Sequence, residues 1–186
     1  MPVLNPHPLV SICVAIYNVS EYLEASLNSI SKITNKDVEF ILVNDGSTDA
    51  SEEVCCKYLK LDSRFRLFSH NENKSLIQAR KTGIENAKGD YICFLDGDDM
   101  LSSQNFDSLL LELKEMGDDI IQYEVSCFGD ERFKPESFNE QFKIKTKTRG
   151  MSIEQVRLEI FKKHTIPWTI TNKVYKLSLI HISEPT

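Results

Sequence analysis

The sequence predicts an α/β protein built on a mainly parallel sheet with helices on both faces. Short apolar runs rich in Val, Ile and Phe recur at 9–18, 38–45, 65–70 and 91–96, with the length and composition of buried strands. Stretches with apolar residues at helical spacing separate them, and strands alternating with helices imply parallel crossovers. Polar clusters end three of the runs, on the side where such sheets bind ligands.

In chain order, LVSICVAIYN (9–18) is the first strand. Ser20 then offers an N-cap, and Tyr22, Leu23, Leu27, Ile30 and Ile33 mark the apolar face of a helix. VEFILVND (38–45) is the second strand, stopped by the turn residues of NDGSTD. Asp49 and Glu52 have the form of a capping box and predict a helix from 49 to about 61, with Val54, Tyr58 and Leu61 inward. FRLFSH (65–70) is a third strand. Leu76, Ala79, Gly83, Ile84 and Ala87 mark a helix that stops at Gly89. YICFLD (91–96) is the fourth strand, and NFDSLLLELKEMG (105–117) an amphipathic helix. Met100, Leu101 and the leucines at 109–111 are assigned to the core. DIIQYEVSCF (119–128) alternates like a half-buried strand. Residues 129–150 are polar and read as an excursion or edge hairpin, 152–163 as a helix, and 166–180 as a loop leading into packed structure.

The chain has 186 residues, enough for one domain with a small appendage. Its 22 basic and 28 acidic residues leave a net charge of −6, which argues against a nucleic-acid partner. The five cysteines, Cys13, Cys55, Cys56, Cys93 and Cys127, are odd in number and lack zinc-site spacing. They read as reduced thiols, as in a cytoplasmic protein. No run has the length of a membrane span, and MPVLNPHPLV lacks the features of a signal peptide.

The chemistry should lie in Tyr17-Asn18, Asn44-Asp45-Gly46-Ser47 and Asp96-Gly97-Asp98-Asp99, which the topology brings together. Close carboxylates repel one another. A hard divalent cation, Mg²⁺ or Mn²⁺, neutralises them, and Mg²⁺ takes one or two carboxylates while phosphates and water fill its other positions. Asp-x-Asp at a strand end therefore suits a metal–diphosphate site, with Gly97 allowing close approach. The competing reading is a solvated acidic turn.

The blocks VSICVAIYNVSEYLEASLNSI, VEFILVNDGSTD, NKSLIQARKTGIENAKGDYICFLDGDD and WTITNKVYK, in this order and spacing over about residues 9–180, resemble family 2 glycosyltransferases. The resemblance implies a Rossmann-like GT-A fold, a nucleotide-sugar donor, most simply a UDP-sugar, and inverting transfer to a glycan or lipid-linked acceptor of surface polysaccharide synthesis. The expected location, from the reduced cysteines, is cytoplasmic, with peripheral association at the inner face of the membrane left open. Residues 1–128 become the donor-binding core and 129–186 the incomplete start of an acceptor-side region.

Carried over by position, the resemblance puts Ala15 and Tyr17 at the nucleotide base, Tyr17 by stacking or else merely closing the sheet edge. Asn18 shapes the strand-to-helix turn beside the donor. Asp45 accepts from the uracil ring N–H, unless it is only a turn-forming residue. Asp96 lies near ribose and metal, and Asp98 is the principal metal ligand. Arg80 meets the diphosphate as a bidentate donor, or else is an ion-paired helix residue. Ser75 and Lys81 depart from the Gly and Asn usual at those positions. His70 reads as a satisfied loop histidine. The family places its catalytic carboxylate after the Trp-containing block; here Trp168 and NKVYKLSL are followed only by IHISEPT, so the base is expected beyond the chain end and residues from about Leu179 read as foreign. Two rivals remain. One is a non-catalytic nucleotide-sugar-binding module. The other is a haloacid-dehalogenase-type phosphatase, against which stand the mid-chain position of FLDGDDM and its lack of the usual Thr or Val.

Overall fold

The computed structural model describes residues 6–116, 120–122 and 173–180. The elements run β1 (Val10–Ile16), α1 (Ser20–Ser31), β2 (Val38–Asn44), α2 (Ser51–Leu61), β3 (Phe65–Ser69), α3 (Leu76–Asn86), β4 (Tyr91–Asp96), α4 (Ser103–Met116), β5 (Ile120–Gln122) and β6 (Lys173–Lys176). They form a sheet of order β3-β2-β1-β4-β6-β5. The four strands β3, β2, β1 and β4 are mutually parallel. β6 runs antiparallel to both β4 and β5. The α/β class and helices on both faces are thus as expected.

Alternation along β1 explains the two layers. Ile12, Val14 and Ile16 pack with Leu23, Leu27 and Ile30 of α1 and Phe106 and Leu110 of α4. Cys13 and Ala15 point the other way, joining Ile41, Val43, Phe94 and Ala79 of α3. β1 and β2 are buried along their whole length. That is why their sequences read as unbroken apolar runs rather than alternating ones.

Several inward assignments are corrected. Tyr22, Leu61, Met100 and Leu111 are exposed. On α2 the buried positions are Ser51, Cys55 and Tyr58, because the helix turns its Cys55 side rather than Leu61 to the sheet. The strand reading of 119–128 holds for β5 at 120–122. The readings on 129–150 and 152–163, and those on Cys127 and Trp168, fall outside the described residues. Residues 173–176, within the 166–180 stretch read as a loop leading into packed structure, form a strand inside the same sheet as β1–β4.

Two polar devices hold the edges. The buried Arg64 guanidinium forms a double contact with Asp62 at 2.7 and 3.0 Å. It also donates to the carbonyls of Ile33 and Asn35, tying the end of α1 to the α2–β3 turn. At the amino end of the sheet, buried Glu39 accepts from Ser11 Oγ, Lys88 N–H and Arg66, each within 3.0 Å. Ser11 Oγ in turn accepts from Gly89 N–H at 2.9 Å, so the chain leaving α3 is locked to β1 and β2.

The centre of α3 reaches the sheet at Gly83. A Cβ there would lie 2.0 Å from Cys13 Sγ and 3.1 Å from Cys13 Cβ. Burial pushes the Cys13 thiol up to about 12, so it stays protonated and acts as apolar filling. Gly83→Ala is expected to destabilise the fold by about 1–3 kcal/mol through overpacking. Adding Cys13→Ala, which removes the clashing sulfur, should recover part of that loss; strict additivity of the two in urea denaturation would refute the contact.

Candidate functional site

The carboxyl end of β1 gathers the expected residues. Because β1 lies between β2 and β4, each ladder continues one residue beyond its neighbour. The Ile16 carbonyl accepts from Asp45 N–H at 2.8 Å, and the Ala15 carbonyl from Gly97 N–H at 3.1 Å. Asp45 and Gly97 therefore flank the same two residues. The space left by the absent Gly97 side chain is taken by Val19 Cγ2 and the Ala15 carbonyl, 2.9 and 3.2 Å from where a Cβ would stand. This is a packing reason for the glycine, beside the expected ligand one. Ala15 is only 8% exposed, with its side chain in the α3-facing core, whereas Tyr17 is 46% exposed.

The turns after β1 and β2 are stitched together. Asn18, in the left-handed region at φ 51°, accepts at Oδ1 from Thr48 N–H at 2.8 Å. Its own N–H donates to Ser47 Oγ, and Val19 N–H to Ser51 Oγ. Ser20 N–H donates to Asp49 Oδ2 at 2.9 Å. This corrects two helix starts. Ser20 is the first residue of α1 rather than its cap, and the open N–H is satisfied across the gap by Asp49. The capping box does not form either. Asp49 Oδ1 accepts from Ser51 N–H, while Glu52 takes a hydrogen bond from Asn44 Nδ2. Against the desolvation that would raise it, hydrogen bonds from Ser51 and Ser20 hold the Asp49 carboxyl down at about 2.

Asp45 is 2% exposed. Its Oδ1 accepts from Lys74 N–H at 2.9 Å and meets His70 Nδ1 at 2.5 Å. Gly46, at φ 70°, lets the 70–75 loop come this close, since a Cβ there would stand 2.4 Å from the Glu72 carbonyl carbon. Asn44 uses its side chain on Ser47 N–H and Glu52, leaving Asp45 as the residue turned toward the loop. The loop then enters α3 through Ser75 at φ 90°, ψ 154°. That is glycine's territory, so the Ser-for-Gly departure appears in the backbone as strain. Lys81, the other departure, faces solvent and pairs with Glu85.

From α3, Arg80 donates to Asp96 Oδ1 at 2.7 Å, which is the ion-paired alternative. Its buried Nε has no hydrogen-bond partner among the described residues. Asp98 and Asp99 are exposed. Burial, then the charges of Asp98 and Asp96, push the Asp99 carboxyl above its ordinary value. Among the described residues no group of three or more His, Cys, Asp or Glu could hold a metal ion unaided. The donor set is one or two crowded carboxylates, which fits a hard cation that completes its shell with phosphate oxygens and water.

Sequence reasoning did not assign Asp49, Lys74 or Thr82 to the site, and it left His70 as a loop residue. His70 did carry a signal, because FRLFSH ends at the same edge of the sheet as the other clusters. The Lys74 contact is through its backbone and left no such mark.

Solved structures share this architecture. S. aureus TarS 1–349 in complex with UDP-GlcNAc superposes with a TM-score of 0.65 at 19% identity, over 92% of this chain and 46% of that one. The mannosyltransferase PcManGT of Pyrobaculum calidifontis, in complex with GDP-Man and Mn²⁺, gives 0.55 at 19% identity, over 70% and 39%. The fold is thus of the GT-A type. Glycosyl transferase family 2 matches residues 11–181, and the chain belongs to that family. Among its relatives, the Bacillus subtilis (strain 168) glycosyltransferase EpsJ is 46% identical over 114 residues, which are 61% of this chain and 33% of that protein. The chain therefore spans about a third of the length of this relative. Membership in this family removes the ground for the phosphatase reading. Among the described residues no helix is long and apolar enough to cross a membrane.

Two outcomes test the geometry. Asp49→Ala should cost about 1 kcal/mol in urea denaturation at neutral pH, the usual worth of a helix cap. The folded-state value near 2 lies below the ordinary 3.8, so the wild type's advantage is complete above that value and fades as pH falls through it toward 2. A difference that stays constant between pH 5 and pH 2, a span of about three units, would refute the assignment. Ser75→Gly should raise stability by about 1 kcal/mol, since glycine adopts this backbone without strain. A lower denaturation midpoint for that variant would show that Ser75 is not strained.

Proposed function

We propose that this chain is the donor-binding part of an inverting glycosyltransferase that takes a nucleotide-diphosphate sugar, UDP-linked in the first instance. The observation that carries the reading is the meeting of Asp45 and the Asp96–Asp98 turn on either side of the end of β1, in a family 2 chain. Asp45 would accept from the base, the exposed Tyr17 ring would stack on it, and Asn18 would hold the turn that presents both. Ala15, largely buried, would contribute little more than the floor. Asp98, with Asp96, would hold a divalent cation, Mg²⁺ or Mn²⁺. When bound, that ion supplies charge neutralisation for the departing diphosphate. Arg80, paired with Asp96, sits where a diphosphate oxygen could draw its guanidinium away as a charge-assisted donor.

The reaction is a single displacement. The acceptor hydroxyl oxygen forms a bond to the anomeric carbon while the bond from that carbon to the diphosphate oxygen breaks. The electron pair leaves with the nucleoside diphosphate, and the hydroxyl proton passes to a carboxylate base. No described residue is assigned as that base. The acceptor is a glycan or lipid-linked glycan of a surface polysaccharide, handled at the cytoplasmic face of the membrane. The relatives' names support this acceptor class, one being a Bacillus subtilis teichuronic acid biosynthesis glycosyltransferase.

Calorimetric titration tests the reading. UDP should bind in the presence of Mn²⁺, and Asp98→Ala should weaken it by about tenfold or more, equal to ~1.4 kcal/mol. UDP release from a UDP-sugar, lost in Asp98→Ala, marks an enzyme; binding without release marks a donor-binding module. An affinity for UDP that is indifferent both to Mn²⁺ and to Asp98 removes the proposal.

A further inference from the structure

We infer that His70 is a positioning residue for base recognition, holding the Asp45 carboxylate so that one oxygen is left to read the nucleobase. This rests on the reading of Asp45 given above. The His70 side chain is 10% exposed and that of Asp45 3%, so the pair lies under the site rather than in solvent. An ionised carboxylate only accepts hydrogen bonds, so Nδ1 is the nitrogen that carries the proton toward Asp45 Oδ1. On the neutral ring Nε2 then accepts, and its neighbour at 2.9 Å is the Thr82 hydroxyl, a donor. Thr82 on α3, His70 after β3 and Asp45 after β2 thus form one chain of hydrogen bonds across three elements.

Both donors to Asp45, His70 Nδ1–H and Lys74 N–H, fall on Oδ1. Among the described residues none donates to Oδ2. Rotation of the carboxyl about its own bond would break both contacts at once. The imidazole therefore selects one orientation, and Oδ2 is the acceptor available to a ring N–H. The side-chain partners of His70 are Asp45 and Thr82, so in this arrangement its effect passes through Asp45.

A purely structural histidine would alter stability without altering which base is chosen. The test therefore reads selectivity. Wild type, His70→Phe, His70→Asn and Thr82→Val are titrated with UDP and with N3-methyl-UDP, which lacks the ring N–H, in the presence of Mn²⁺. Thermal melts confirm that each variant is folded. The wild type should prefer UDP. In His70→Phe the preference should fall by about tenfold, with affinity for N3-methyl-UDP little changed. His70→Asn, whose amide can still donate to Oδ1, should restore part of it, and Thr82→Val should fall between. An undiminished preference in folded His70→Phe overturns the positioning role while leaving Asp45 as base reader. A wild type with no preference overturns the Asp45 reading, and this inference with it. If His70→Phe does not fold, Thr82→Val decides: a reduced preference supports the inference and an unchanged one refutes it.

Discussion

The site depends on one constraint: β1 is flanked by parallel neighbours on both sides, and all three strands end at the same level. β4 ends opposite Ala15 and β2 opposite Ile16, so the two neighbours turn off the sheet within one residue of each other. The hydrogen bonds from Asp45 to Ile16 and from Gly97 to Ala15 are the last rungs of those two ladders. An antiparallel neighbour could not do this, because its carboxyl end would lie at the opposite edge. The reversed direction of β6 fits that logic, for β6 lies outside β4 and contributes nothing to the β1 edge.

Helix α3 serves the site from three fixed points. Its carboxyl end is held by the buried Glu39 and Ser11 network, which binds the backbone at Lys88 and Gly89. Its middle presses on β1 through Gly83, where no larger residue fits against Cys13. Its amino end enters from a loop whose Lys74 N–H is engaged by Asp45 and whose Ser75 is strained. With both ends and the middle set, the Arg80 and Thr82 side chains are presented to Asp96 and His70. The strain at Ser75 is tolerated because the segments around it are over-determined.

Much of this was legible in the sequence because local rules and the global fold agreed. Four apolar runs and intervening helical stripes marked the parallel core, and the polar residues after three runs marked the candidate site at one edge of the sheet. What was not legible falls into two kinds. Some contacts link residues far apart in the chain: Asp49 takes the first N–H of α1 as well as that of its own helix, and β6 slips between β4 and β5 although fifty residues separate it from β5 in sequence. Others involve buried polar groups inside apolar runs. Glu39 in VEFILVN looks like an interruption, and its purpose appears only when Ser11, Arg66 and Lys88 are placed around it. Ser75 is intermediate: the departure from glycine was visible, whereas its consequence, a backbone that keeps glycine's conformation, required the structure.

Charge explains why the acidic turn calls for a cation if a diphosphate is to dock there. Asp96, Asp98 and Asp99 stand within four residues, and the Asp99 carboxyl is already pushed up by burial and by the other two. Arg80 places its positive charge on Asp96. A diphosphate approaching Asp98 would add like charge, at a cost of about 4 kcal/mol for one unit pair 4 Å apart near a protein surface. Rearranging Arg80 alone would free Asp96 as fast as it satisfied a phosphate, leaving the sum of charges unchanged. An added divalent cation alters that sum, and under the proposed reading the exposed Asp98 carboxylate would take it. Under the proposed reading the two halves of the site differ in kind. Asp45 is buried, orientated by its partners and suited to reading a neutral ring, whereas the Asp96–Asp99 turn is open and suited to a charged ligand that brings its own counter-ion.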